Sequence, residues 1–116
     1  MTVDVLSTLL SELVALHGAT LEDARKAVAD AGEAVDAIPL HDGPERDAVL
    51  ACWARRLVVE RKCCVDCGEP KPWIAFYAAQ RGAVDRRQSR CIPCDNAARS
   101  ARVAEERERL ARRGAA

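Results

Sequence analysis

Two cysteine pairs constrain this chain more than anything else in it. Cys64-Val65-Asp66-Cys67 is followed at once by Gly68, and Cys91-Ile92-Pro93-Cys94 comes after a spacer of 23 residues. Two residues between cysteines let a tight turn aim both sulfurs at one point, and Gly68 lets the turn close without a Cβ clash. Two such pairs at this separation read as a four-thiolate zinc site. A closed all-cysteine shell leaves no position for water or substrate, so the expected role is one structural Zn²⁺ held by Cys64, Cys67, Cys91 and Cys94. Cys63 competes with Cys64 for the first position, and the spacing and Gly68 favour Cys64. A redox cluster is the alternative use of these thiols. An iron–sulfur site fits less well, because the spacing is unlike the common ferredoxin patterns. Cys52 lies outside the cluster and reads as a small buried hydrophobe on a helix.

A staple is needed here. Aromatics make up only 3% of the 116 residues (Trp53, Trp73, Phe76 and Tyr77), so any core is thin. Ahead of the cysteines the pattern is helical. Leu6, Leu9, Leu10, Leu13 and Leu16 recur at three- and four-residue steps, and His17-Gly18 stops that helix. Thr20 is the expected N-cap of a second helix, with an Ala-rich seam of Leu21, Ala24, Val28, Ala31, Val35 and Ile38 that Pro39 ends. Pro44 suits the first turn of a third helix, whose apolar stripe is Val49, Trp53 and Leu57, with Leu50, Cys52 and Val58 beside it. Residues 63–96 have no long helical period. From 95 to 113 an Ala- and Arg-rich helix is expected, supported by Glu105–Arg109 and Glu108–Arg112 pairs. The expected architecture is therefore mainly α. A three-helix segment over residues 1–61 precedes a treble-clef-like zinc module over residues 62–116, made of a knuckle, a short β-hairpin and a long helix.

The formal net charge is zero, but it averages two unlike halves. Residues 1–60 carry 11 acids and 5 bases, and residues 61–116 carry 13 bases and 7 acids. The resulting −6 and +6 suggest different partners for the two halves. Four thiolates around Zn²⁺ add a net −2, which leaves about +4 for the second half. Arg81, Arg86, Arg87 and Arg90 cluster at the expected hairpin, and Arg99, Arg102, Arg109 and Arg113 share a face of the last helix. Guanidinium groups suit phosphate, so Arg86, Arg87, Arg90, Arg99 and Arg102 are the expected nucleic-acid contacts. The competing reading is a solvated helix held by internal Glu–Arg pairs. Trp73 and Tyr77 either stack on bases or form a small core under the knuckle. No run of the chain approaches the ~18 apolar residues of a membrane span. Residues 1–16 hold Asp4 and Glu12 and no base, unlike a signal peptide, and the expected location is a bacterial cytosol.

The run Lys62-Cys63-Cys64-Val65-Asp66-Cys67-Gly68-Glu69-Pro70-Lys71-Pro72, then Phe76, residues 85–90 and Cys91 to Cys94, resembles a zinc module of bacteriophage proteins. That module accompanies HNH endonucleases and the recombination endonuclease VII family. The likeness covers about fifty residues and implies a zinc fold and a phage-like origin. Nucleases of that family place a histidine general base between the two cysteine pairs and an asparagine just after the second. Here no histidine follows His41, Asn96 lies two residues past Cys94, and Asp85-Arg86 replaces an Asp-Gly turn. The expected function is thus a non-catalytic zinc-finger accessory or regulatory factor that binds nucleic acid. The alternative is a protein-interaction module acting on a host or phage protein, and a nuclease is the lesser alternative. The acidic helices could also pair two copies into a homodimer.

Overall fold

The computed structural model describes residues 2–80 and 84–114. Three helices come first: α1 (Val3–Ala15), α2 (Leu21–Asp36) and α3 (Pro44–Val59). Capping chemistry sets their ends. The Thr2 hydroxyl accepts from the Val5 N–H, and the Thr20 hydroxyl accepts from the Asp23 N–H at 3.1 Å. Gly18 takes φ +72°, a left-handed turn that lets the Ala19 N–H reach the Leu13 carbonyl and close α1. Pro44 opens α3 at a position where its missing N–H costs nothing.

α2 packs most extensively on α3. Its buried face is Ala24, Ala27, Ala31, Ala34 and Val35. Small side chains let the two backbones approach, and α3 answers with Leu50, Ala54, Leu57 and Val58. This rotates both seams from the expected ones. Leu21 is exposed and Val28 only half-buried, while Ala27 and Ala34 take their places. On α3 the face centres on Ala54, so Val49 and Trp53 lie at its edge. Cys52 is exposed rather than buried. α1 adds Leu9 and Leu13 to the core, and each fully buried leucine contributes about 1.5–3 kcal/mol. Glu12 of α1 pairs with Arg55 of α3, which holds the Glu12 carboxyl below its usual range.

Beyond α3 the chain forms two antiparallel hairpins. β1 (Arg61–Cys63) pairs with β2 (Pro70–Pro72) in the register Arg61↔Pro72, Lys62↔Lys71 and Cys63↔Pro70. A 3-10 turn (Trp73–Ala75) leads into β3 (Phe76–Ala78), which pairs with β4 (Arg87–Cys91) through an irregularity between Phe76 and Ala78. The last helix, α4 (Ile92–Gly114), starts directly from β4, three residues before its expected beginning. The molecule is mainly α, with the hairpins between α3 and α4.

The hairpin region is not a separate bead. Ile74 and Val84 are buried in the core of the helices, with Trp73 packed against it. Phe76, fully buried, forms a second small cluster with Cys64 and Cys91. α4 behaves differently. It buries no residue, and every position from 101 to 114 is exposed. The molecule is accordingly 65 Å along its longest axis and 30 Å along the next. Among the described residues no helix is long and apolar enough to cross a membrane.

Candidate metal centre

The hairpin β1–β2 ends in the knuckle that carries Cys64 and Cys67. The Gly68 N–H donates to the Cys64 carbonyl at 2.9 Å, and Gly68 sits at φ +71°, where a side chain would be strained. The Cys64 N–H donates to the Glu69 carbonyl, and the Val65 N–H reaches Ser89 of β4. That last bond brings the knuckle over the second hairpin. Cys91 ends β4, and Cys94 lies in the first turn of α4. The four sulfurs therefore arrive from a turn, a strand end and a helix start.

The sulfurs of Cys64, Cys67, Cys91 and Cys94 all lie within 4.8 Å of one another. The Cys67–Cys91 separation is 4.0 Å. A tetrahedral zinc site with Zn–S bonds of ~2.3 Å has sulfur–sulfur edges of about 3.8 Å, so the donors need close by only a small amount. Donor type, number and spacing fit Zn²⁺. Cys63 is not part of the group; it is exposed, one residue out of step on β1. None of the six cysteines is in a disulfide. Cys64 and Cys91 are buried, Cys94 is half-buried and Cys67 is exposed.

Local N–H groups prepare these sulfurs for a cation. The backbone N–H of Cys67, then that of Cys91, hold the Cys64 thiol down at about 6. Cys91 is lowered as well, chiefly by the backbone N–H of Cys94. Cys94 is pushed the other way, up to about 12, chiefly by its hydrogen bond to the Cys91 sulfur and by burial. Thiols this close cannot all ionise alone, and a divalent cation removes the conflict. A pH dependence follows. The fold favours the Cys64 thiolate, so that contribution is present at high pH and is lost as pH falls through about 6. Bound metal lowers the thiols further. Zinc should stay bound at pH 7 and be released on acidification with a midpoint below about 6. A chromogenic zinc indicator reads this, and a midpoint above neutrality would contradict it.

The expected nucleic-acid contacts fare unequally. Arg87 is buried, and its side chain is 3% exposed. It donates to Asp30 of α2 at 3.2 Å and to the carbonyls of Val84 and Phe76 at 3.1 and 3.2 Å. Arg87 therefore cannot serve as a phosphate contact; it joins α2 to the second hairpin. Arg90 pairs with Asp66 at 2.9 Å, and Arg99 pairs with Asp95 at 3.1 Å while lying over the Tyr77 ring. Arg86 is exposed and touches Gln80. Arg102 is exposed and makes no ion pair among the described residues. Arg81 lies outside the described residues. Glu108–Arg112 forms as expected, but Arg109 takes Glu106, one turn back, rather than Glu105. Trp73 and Tyr77 are occupied within the chain. Arg56 stacks on Trp73, and Tyr77 lies between Lys26 and Arg99 with its hydroxyl donating to Asn96.

Lys71 is absent from the expected site residues, yet its ammonium reaches the Cys91 sulfur at 3.3 Å. The signal that could find it is its place opposite Lys62, where two like charges face each other for no internal reason. No family model matches this chain, and comparison with curated proteins and with solved structures finds no match either.

Proposed function

We propose that the four cysteines hold one structural Zn²⁺, and that the chain is a non-catalytic, treble-clef-like zinc module of bacteriophage type. It binds nucleic acid as an accessory or regulatory factor, through α4 and the β3–β4 turn. The zinc part rests on the four-sulfur cluster. The order of knuckle, hairpin and a second cysteine pair at a helix start supports the treble-clef reading. The nucleic-acid part rests on α4. Residues 101–114 are exposed at every position, on a helix of about 34 Å anchored only at its first turns. At 100° per residue, Arg99, Arg102, Arg109 and Arg113 fall within an arc of about 80°, which Glu106 shares through its pair with Arg109, while Glu105 and Glu108 lie beyond the arc's edge. Arg86, exposed at the second hairpin, adds another cation. Histidine is missing after His41 and a closed thiolate shell admits no water, so no group for metal-assisted hydrolysis is in place.

Binding of this kind is mostly phosphate contact and must weaken with salt. The zinc-loaded chain should shift labelled duplex at ~50 mM salt, with a log–log salt slope of about −3 to −4 for roughly four phosphates. Arg102→Ala together with Arg109→Ala should reduce that slope by about 2. No binding of single- or double-stranded nucleic acid at low salt would sink the reading. Val103 and Leu110 lie beside the basic arc and are 50% and 53% exposed. They favour the second reading, a protein partner that receives α4 in a groove. A complex that survives nuclease treatment would point there.

A further inference from the structure

The β1–β2 hairpin places Lys62 and Lys71 directly opposite each other. Opposed residues in an antiparallel pair project from the same face, and like charges there are destabilising. A two-stranded hairpin of three-residue strands has little to set against that cost. Something nearby must draw the ammonium groups in, and each has found a different acceptor. Lys62 donates to the Arg87 carbonyl at 2.8 Å and lies over the Phe76 ring. Lys71 donates to the Cys91 sulfur at 3.3 Å.

Cys91 is the sulfur with most to gain. It is fully buried, packed on Phe76 and Cys64. A thiolate in such surroundings is poorly solvated, and a nearby positive charge is worth more there than in water. Four thiolates and one Zn²⁺ sum to −2, and that charge must be offset by N–H donors and cations around the shell. The backbone contributes donors of its own: the Cys91 N–H reaches the Cys64 sulfur at 3.3 Å, and the Cys94 N–H serves Cys91. At Cys91 itself the side-chain donor is Lys71. Cys67, the exposed ligand, can draw on solvent instead.

We infer that Lys71 belongs to the metal centre as a positioning residue. Its ammonium, hydrogen-bonded to the buried Cys91 sulfur, offsets part of the shell's negative charge and sets how tightly the metal is held and how slowly its sulfurs react. The inference rests on the zinc reading of the four cysteines. It goes beyond that reading by giving the centre a fifth participant that is not a ligand. A hydrogen bond of this kind lowers the nucleophilicity of the sulfur that accepts it, because it ties up a lone pair. Removing it should open Cys91 to electrophiles as well as loosen the metal.

Two variants separate charge from shape. Lys71→Met keeps most of the length and apolar stem of the side chain and removes the charge and the donor. Lys71→Arg keeps both. Zinc affinity is read by competition with a chromogenic chelator, and sulfur reactivity by the rate of zinc release under iodoacetamide. Partners of metal ligands typically carry about 10–100-fold in affinity. Lys71→Met should bind zinc at least ~10-fold more weakly and release it faster under alkylation, while Lys71→Arg stays near wild type. Arg61→Met removes an exposed charge from the same hairpin away from any sulfur, and should leave both readouts unchanged. Circular dichroism of each zinc-loaded variant identifies a folding defect. If Lys71→Met loses structure, the Lys71→Arg and Arg61→Met pair still decides the matter, because a loss in Lys71→Arg equal to that in Lys71→Met means shape rather than charge and overturns the inference. A Lys71→Met protein that holds zinc as firmly and as inertly as wild type also overturns it. A wild-type chain that takes up no zinc overturns the zinc reading itself, and this inference with it.

Discussion

Replacing Cys91 and Cys94 by serine should take the zinc content from about one per chain to none and unfold the hairpins with it. The reason is the size of what remains. The small cluster at the site has one large apolar side chain, Phe76, packed with Cys64 and Cys91. Burying a phenylalanine contributes about 1.5–3 kcal/mol. Structural zinc in small modules contributes an apparent ~10–16 kcal/mol, several times as much. Strands of three residues cannot hold the knuckle alone. The helical trio has its own core of Ala24, Ala27, Ala31, Leu13 and Leu57, all fully buried. Hydrogen exchange should therefore show β1, β2, β4 and the first turns of α4 losing protection in the double variant, while α2 and α3 keep theirs. A chelator added to the wild-type chain should do the same, and zinc should reverse it. A metal-free variant with undiminished protection over residues 61–91 would show that the sulfurs are not a staple.

The four-cysteine cluster was legible from spacing alone because its requirement is local. Two residues between cysteines and a glycine after the second suffice to specify a knuckle, and Gly68 does adopt φ +71°. Two helix starts were equally legible: the Thr20 hydroxyl accepts from an N–H within one turn, and Pro44 needs only its own ring geometry. What could not be read was anything decided by a second element. The Ala-rich seam of α2 keeps Ala24, Ala31 and Val35, but its neighbour α3 presents Ala54, and close approach brings in Ala27 and Ala34 in place of Leu21 and Val28. Cys52 has the composition of a core residue and the wrong phase for one. The arginines show the same division. All five have the chemistry to meet phosphate, and only the fold shows that Asp66 of the knuckle stands beside Arg90 and that Asp30 of α2 takes Arg87. Lys71 was hidden because its sulfur partner is 20 residues away.

Arg87 is where that division has its largest consequence, and Arg87→Met should cost about 2–4 kcal/mol of stability in the zinc-loaded protein. Methionine fills much of the same space, so the loss is polar rather than a cavity. Two carbonyls, of Val84 and Phe76, would lose their donor in a buried setting, at about 1–3 kcal/mol each before relaxation. Asp30 is 31% exposed and can turn to water, which keeps the total below the sum. Against a whole stability of about 5–15 kcal/mol, the change is large. The melting temperature should fall by roughly 10 °C. Asp30→Asn keeps an acceptor for the guanidinium and should cost much less, which separates the role of the carbonyl bonds from that of the ion pair. Zinc should remain bound in both variants, because neither residue touches a sulfur. Nucleic-acid affinity should be unchanged as well, since a guanidinium buried to 3% exposure against Asp30 and two carbonyls is out of reach of phosphate. A melting temperature within ~2 °C of wild type, or a loss of nucleic-acid binding in a stable Arg87→Met protein, would mean that the side chain is free in solution and that the second hairpin is not tied to α2 in this way.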